Sequence, residues 1–252
     1  MFAARFELVA LSVLIASQAQ AESITVAVAS NFARPAEEIV AQFESASGHA
    51  VRVTTASTGK LYAQIVNGAP FDVLLAADAE RPRLLEQRGV GVQGTRATYA
   101  LGRLYLYSRH ASFAGVDCEA ELAKLGKRRL AIANPLTAPY GSAAREYLQA
   151  IGSWSVVAPQ LVYGENISQT FLFVATGNAE IGLVANSQVA VSQSHDTTCE
   201  WLVPEGRHSA IEQQAILLQR AHDNPAATEF LAFLNGAESR SVLIDHLYGL
   251  PQ

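Results

Sequence analysis

The chain has 252 residues, half of them hydrophobic, and carries 18 Lys and Arg against 23 Asp and Glu, a net charge of −5. An acidic chain with few aromatics makes a poor nucleic-acid binder, because neutralising phosphates needs a basic face. Its length suits one large domain or two of about 110 residues.

In chain order, Arg5 is followed by an apolar run from Leu8 to Ser17 and by Ala19-Gln20-Ala21, a small-x-small cleavage site. That is the pattern of a secretory signal peptide over 1–21, cleaved after Ala21, and the run is too short to span a bilayer. Arg5 and Glu7 leave together, so the net charge of the mature chain is unchanged.

Ile24–Val28 reads as a strand. It leads into a helix through about Ala46, with Phe32, Ala36, Ile39 and Phe43 on one face. Pro35 fits only an early turn, so the regular helix is expected near Arg34. Val51–Thr54 is a strand and Lys60–Asn67 a helix stopped by Gly68; Phe71–Ala76 and Glu80–Arg88 repeat the pair. This alternation argues for a mostly parallel sheet covered by helices.

A second series follows: strands at Leu104–Tyr107 and Leu130–Ala133, a helix at Ser142–Ala150, a strand at Leu161–Tyr163, a helix at Ile167–Thr176 and a strand at Glu180–Val184. After loops over Thr197–Arg207, Ala215–Gln219 reads as a strand. Asn224 caps a helix over Pro225–Leu234, and Ala237–Leu247 forms the last one. No repeat or flexible linker is visible. Two halves would therefore be joined by strand-like crossings near Ala100–Arg109 and Val203–Ile211.

Cys118 and Cys199 make an even count in an exported chain, which favours one disulfide; two buried free thiols are the alternative. They have no metal-site spacing. His195 is the one histidine near a cysteine, and the residues between them read as loop. Lys127-Arg128-Arg129 is expected to be a solvated loop, and Asp72 and Asp78, which bracket a strand end, to serve turns and caps.

Three strand ends run into helix starts made of Ser, Thr, Asn or Gly: Ala29-Ser30-Asn31, Ala56-Ser57-Thr58-Gly59 and Gly164-Glu165-Asn166-Ile167. Pro139-Tyr140-Gly141-Ser142 is a fourth. Each leaves first-turn N–H groups and a positive dipole end free for an anion, and the carboxyl ends of parallel strands are where open sheets bind ligands. Glu165 and Lys60, which adjoin these motifs, are expected to face solvent.

The blocks Ala29-Ser30-Asn31-Phe32, Thr58-Gly59-Lys60-Leu61, Asn67-Gly68-Ala69-Pro70-Phe71-Asp72-Val73, Ala133-Asn134-Pro135 with Ala138-Pro139-Tyr140-Gly141, Gly164 to Thr170, and Thr176-Gly177-Asn178-Ala179-Glu180 resemble, in order, the periplasmic molybdate-binding proteins of ABC importers. The resemblance implies an α/β, two-lobed periplasmic binding-protein fold of type II, with mostly parallel sheets flanked by helices and the ligand in the interlobe cleft. Lobe I would comprise 22–105 plus 208–252, and lobe II 106–207. It implies one molybdate or tungstate held by Ser30 and Asn31 (backbone N–H with side-chain help), Thr58 (N–H and hydroxyl), and the backbone N–H groups of Tyr140 and Ile167. One branch of the family uses a tyrosine from the segment 182–187; here Ala185 stands there, and Tyr140 replaces a small residue, so the chain resembles the other branch. Which Tyr140 atom donates is open at this point.

The implied protein is a periplasmic monomer that delivers its oxyanion to a membrane permease, with no cofactor, no protein-to-metal ligand and no catalytic residue. A fully ionised oxyanion needs donors only, whereas phosphate keeps a proton over part of the range near pH 7 and tends to need an acceptor. A sulfate or thiosulfate binder is the alternative within the class. A hydrolase using Ser30 or Ser57 would need a base in reach, and neither serine sits in a GxSxG or SxxK motif.

Overall fold

A computed structural model describes residues 21–191 and 197–251. The expected leader, apart from Ala21, and His195 lie outside the described residues.

The chain runs β1 (Ser23–Ala29), a 3-10 turn (Ser30–Phe32), α1 (Ala33–Ser47), β2 (Ala50–Ala56), α2 (Thr58–Val66), β3 (Val73–Ala76), α3 (Glu80–Gln87) and β4 (Ala97–Gly102). It continues through β5 (Leu104–Ser108), α4 (Cys118–Leu122), β6 (Leu130–Ala133), α5 (Pro139–Ala150), α6 (Trp154–Val157), β7 (Leu161–Gly164), α7 (Ile167–Ala175), β8 (Ile181–Ala185), α8 (Asn186–Val191) and β9 (Cys199–Leu202). It returns with β10 (Ile211–Leu217), α9 (Pro225–Leu234) and α10 (Ala237–Asp245).

These strands form two five-stranded sheets, in the orders β2-β1-β3-β10-β4 and β7-β6-β8-β5-β9. Parallel pairing joins β1 to β2 and β3, and β6 to β7 and β8. β10 and β5 each run against both of their neighbours. Four strands of each sheet therefore point one way. The reversed strand in each is the one that enters its sheet from the other: β5 follows β4, and β10 follows β9.

Arg103 separates β4 from β5, so the first crossing comes before the boundary expected between 105 and 106. β4 and β9 were not expected as strands, and β10 begins at Ile211, well before Ala215. The last helix stops at Asp245, with Leu247 in the left-handed region at φ 58°, a conformation expected of glycine; Gly249 instead bridges to Leu101.

Each sheet buries its faces under helices. Val26, Val28, Val73 and Leu75 of the first pack with Ile39, Phe43 and Phe230 of α1 and α9. Leu106, Leu130, Ile132 and Leu183 of the second pack with Ala144, Tyr147 and Leu148 of α5. A side chain of this size stabilises the fold by about 1.5–3 kcal/mol when buried. Phe32 follows Asn31 directly and is fully buried edge-on between the rings of Tyr99 and Tyr248, at centroid distances of 4.9 and 5.4 Å. It fixes the 3-10 turn on the sheet, and Phe32→Ala would cost about 3–5 kcal/mol.

Cys118 and Cys199 are joined in a disulfide, Cα atoms 5.8 Å apart, which ties α4 to the edge strand β9. The basic run is held in place: Arg128 stacks on Phe113 and pairs with Glu121, while Arg129 meets Glu180. Asp72 accepts from the Thr25 amide and pairs with Arg220, and Asp78 caps the Arg81 amide. Among the described residues no helix is long and apolar enough to cross a membrane.

Candidate functional site

The four helix starts singled out by the sequence come together. One cavity of about 10 Å³ is lined by Ser30, Asn31, Ser57 and Thr58 from the first sheet's half and by Tyr140 and Ile167 from the second's, with alanines and Pro139 between them. All five residues implied as ligand contacts are at its wall. The lining contains no Asp, Glu, His, Lys or Arg.

Local sequence chooses which amides face the cavity. α5 starts at Pro139, earlier than expected; proline has no N–H, so Tyr140 supplies the first donor of that helix. Gly141 follows because α5 begins directly on the end of β6, where a Cβ would overlap the Ala133 carbonyl. At α7 the Asn166 side chain accepts from the Gln169 amide, 3.0 Å, satisfying the third position and leaving the first, Ile167, to the cavity. The Ile167 side chain belongs to the second core. α2 begins at Thr58, two residues before the expected start, which makes the Thr58 amide its first donor.

The Thr58 hydroxyl is oriented by a residue the sequence did not single out. The Ala77 amide donates to Thr58 Oγ1 at 3.0 Å, occupying the oxygen as acceptor, so that the hydroxyl hydrogen is available as a donor. Ser57 was also not selected as a contact, although it lines the same wall. Its cap position at α2 was the only available indication.

The expected side-chain help from Asn31 is absent. Asn31 Nδ2 donates to Gln213 Oε1, 2.9 Å, and to the Tyr248 hydroxyl, 3.0 Å, and Tyr248 returns a bond to the Asn31 carbonyl. Both amide hydrogens are thus spent on β10 and the C-terminal segment, and only the backbone N–H remains for a ligand. Ser187 of α8 adds a bond to the same Tyr248 hydroxyl, linking the two halves behind the site.

Tyr140 turns its hydroxyl the same way. It lies against Gly102, where a Cβ would overlap the hydroxyl oxygen and approach Gln213 Nε2. The hydroxyl is buried without a hydrogen-bond partner in the protein. Burial, and then the nearby Tyr248 and Tyr99, push its pKa well above the usual phenol range. Gly102 is not among the residues of the cavity wall.

Further bonds draw the halves together around the cavity. Gly59 N–H donates to the Thr137 carbonyl at 2.8 Å, and Ser168 Oγ donates to the Ser30 carbonyl at 3.0 Å. Lys60 and Glu165 are exposed, as expected, but face each other across the cleft at 2.8 Å. That bond and the lysine charge hold the Glu165 carboxyl below its usual pKa.

A larger cavity, about 490 Å³, lies beside the crossings, among Leu101, Leu202, Pro204 and His208. Its charged residues Arg103 and Glu205 pair with each other at 3.7 Å, and no helix start opens into it. The smaller cavity is the better candidate for an anion. Its volume is well below the roughly 300–1,000 Å³ of sites for organic ligands, which favours a compact ion. Among the described residues no group of three His, Cys, Asp or Glu is placed to hold a metal ion.

Comparison with known proteins gives consistent matches. Residues 24–248 match the family described as bacterial extracellular solute-binding protein. The chain is 44% identical over 237 residues to the molybdate-binding protein ModA of Azotobacter vinelandii, covering 94% of each chain. It is 40% identical over 239 residues to the protein of that name from Rhodobacter capsulatus, covering 95% of this chain and 93% of the relative. Among solved structures, the Azotobacter vinelandii periplasmic molybdate-binding protein superposes with a TM-score of 0.85 at 32% identity, over 91% of this chain and 100% of that one.

Proposed function

We propose that this chain, which belongs to the molybdate-binding ModA family of bacterial extracellular solute-binding proteins, captures molybdate between its two sheets and delivers it to the permease of an ABC importer. The observation that carries this reading is the meeting of four helix starts from both halves at one small cavity with no charged side chain in its wall.

The ligand is a tetrahedral dianion, molybdate or tungstate. The amides of Ser30, Asn31, Thr58, Tyr140 and Ile167 donate to its oxygens, and the Ser30 and Thr58 hydroxyls add two donors. Each charge-assisted bond contributes about 1.5–3 kcal/mol, so the set offsets the desolvation of the ion without a counter-charge. A positive side chain is unnecessary because helix dipoles supply the field. The absence of a carboxylate in the wall disfavours a ligand that still carries a proton, which supports rejection of phosphate.

Each sheet with its helices forms one lobe, and the lobes close on the ion through the Gly59–Thr137, Ser168–Ser30 and Lys60–Glu165 contacts. The closed form is what the permease recognises. The leader over 1–21 exports the chain to the periplasm, where it works as a monomer. With no histidine or carboxylate lining the cavity, neither Ser30 nor Ser57 has a base there, which supports binding over catalysis. Sulfate is the rival ligand, and the names of the relatives at 44% and 40% identity favour molybdate.

The test is calorimetric titration of ligand-stripped mature protein with molybdate, tungstate, sulfate and phosphate. Tight binding of molybdate and tungstate with at least hundredfold weaker sulfate is expected. Tight sulfate binding without heat from molybdate contradicts the assignment.

A further inference from the structure

We infer that Ser57 is an additional ligand contact, its hydroxyl donating directly to the bound oxyanion alongside that of Thr58. The inference rests on the oxyanion reading above and adds a residue to it.

A serine at a helix N-cap ordinarily turns its Oγ back to accept from the second or third amide of the helix. Ser57 holds that position in α2, with extended backbone at φ −67° and ψ 146°, yet its side chain makes no capping bond. One of those two amides is engaged elsewhere. The second amide, that of Gly59, is already taken by the Thr137 carbonyl of the opposite half at 2.8 Å. Ser57 is 3% exposed, and its Oγ is buried with no hydrogen-bond partner in the protein. A buried hydroxyl left in that state is costly unless a ligand completes it.

The contrast with the polar cap of α7 sharpens the point. Asn166 turns its side-chain oxygen to the Gln169 amide in the ordinary capping bond and is not among the residues of the cavity wall. Thr58 Oγ1 is fixed as acceptor by the Ala77 amide, whereas Ser57 Oγ is bonded to no group and free to rotate. Ser57 also differs from the unpartnered Tyr140 hydroxyl, which lies against Gly102 behind the site, because Ser57 lines the cavity itself.

The experiment compares Ser57→Ala and Ser57→Gly with wild type by titration with molybdate, alongside thermal unfolding of each unliganded protein. Glycine is a good N-cap and alanine a poor one, so the pair separates capping from ligand contact. Loss of one charge-assisted donor predicts that both variants bind about 10- to 100-fold more weakly, to a similar extent, with unliganded midpoints close to wild type. Binding by both within about twofold of wild type overturns the inference, as does a defect in Ser57→Ala that Ser57→Gly repairs. If wild type takes up no molybdate, the proposed function falls and this inference with it; if wild type binds and the variants match it, only the Ser57 contact falls.

Discussion

The amide of Gly59 donates to the carbonyl of Thr137 across the cleft, 2.8 Å from nitrogen to oxygen, with no side chain of either residue taking part. A Cβ on residue 59 would stand 2.8 Å from that same oxygen and 3.0 Å from Thr137 Cα. Two backbones can approach this closely only because position 59 is glycine.

Gly59→Ala is therefore expected to keep the lobes from closing. Molybdate affinity should fall at least tenfold, while the unliganded protein should be as stable as wild type or slightly more so, since alanine is favoured over glycine within a helix by up to about 1 kcal/mol. Titration and thermal unfolding of the same samples check both signs. Weaker binding accompanied by a lower unliganded midpoint would indicate general damage instead.

The Lys60–Glu165 pair should matter much less. Both side chains are well exposed, so solvent screens their attraction. Glu165→Gln should weaken binding by no more than roughly threefold, and the difference should vanish at about 1 M salt, where the screening length is about 3 Å. Titrations at low and high ionic strength measure this.

Tyr140→Phe should bind molybdate within about twofold of wild type. The hydroxyl it removes faces Gly102 and has no partner, so its loss should leave stability unchanged or raise it. A tenfold loss of affinity on titration would put that hydroxyl on the ligand.

The pH response should be flat and then fall on the alkaline side. Burial raises Tyr99 and Tyr140 well above the usual phenol range and takes Tyr248 to about 12. A group whose folded pKa is raised contributes stability that is present below its unfolded value, near 10, and is lost as pH climbs through the folded value. The unliganded midpoint should hold from about pH 6 to 9 and drop from pH 10 towards 12. Affinity should be constant between pH 6 and 9, because no carboxylate, histidine or lysine lines the cavity. A tenfold change in that interval would reveal a titrating group at the ligand.

Much of this arrangement can be read from the sequence, because short apolar strands, glycine stops and polar caps are local features. The strand at Leu130–Ala133 and the helix at Pro225–Leu234 have the bounds their residues imply. The misses have long-range causes. β4 and β5 are separated by Arg103 alone, so the sequence shows the strand at Leu104–Tyr107 and a crossing near Ala100–Arg109 but no separate β4. β9 is a four-residue edge strand, Cys-Glu-Trp-Leu, too short for its alternation to stand out. β10 carries Gln213 and Gln214 in its interior, and a buried glutamine makes sense only once Asn31, 182 positions away, is seen to hold it. The same separation hides the fate of the Asn31 side chain, which looks available in sequence and is fully engaged in the fold. The helix starts proposed to hold the oxyanion are legible because the cap residues mark them directly.

The most direct test of the account is a crystal structure of the mature protein grown with molybdate, with anomalous data collected at the molybdenum absorption edge. The account predicts one strong peak in the cavity between Thr58 and Tyr140. The ion's oxygens should lie about 2.7–3.2 Å from the amides of Ser30, Asn31, Thr58, Tyr140 and Ile167. A peak in the larger cavity near Arg103 and His208, or no ordered peak at all, would contradict it.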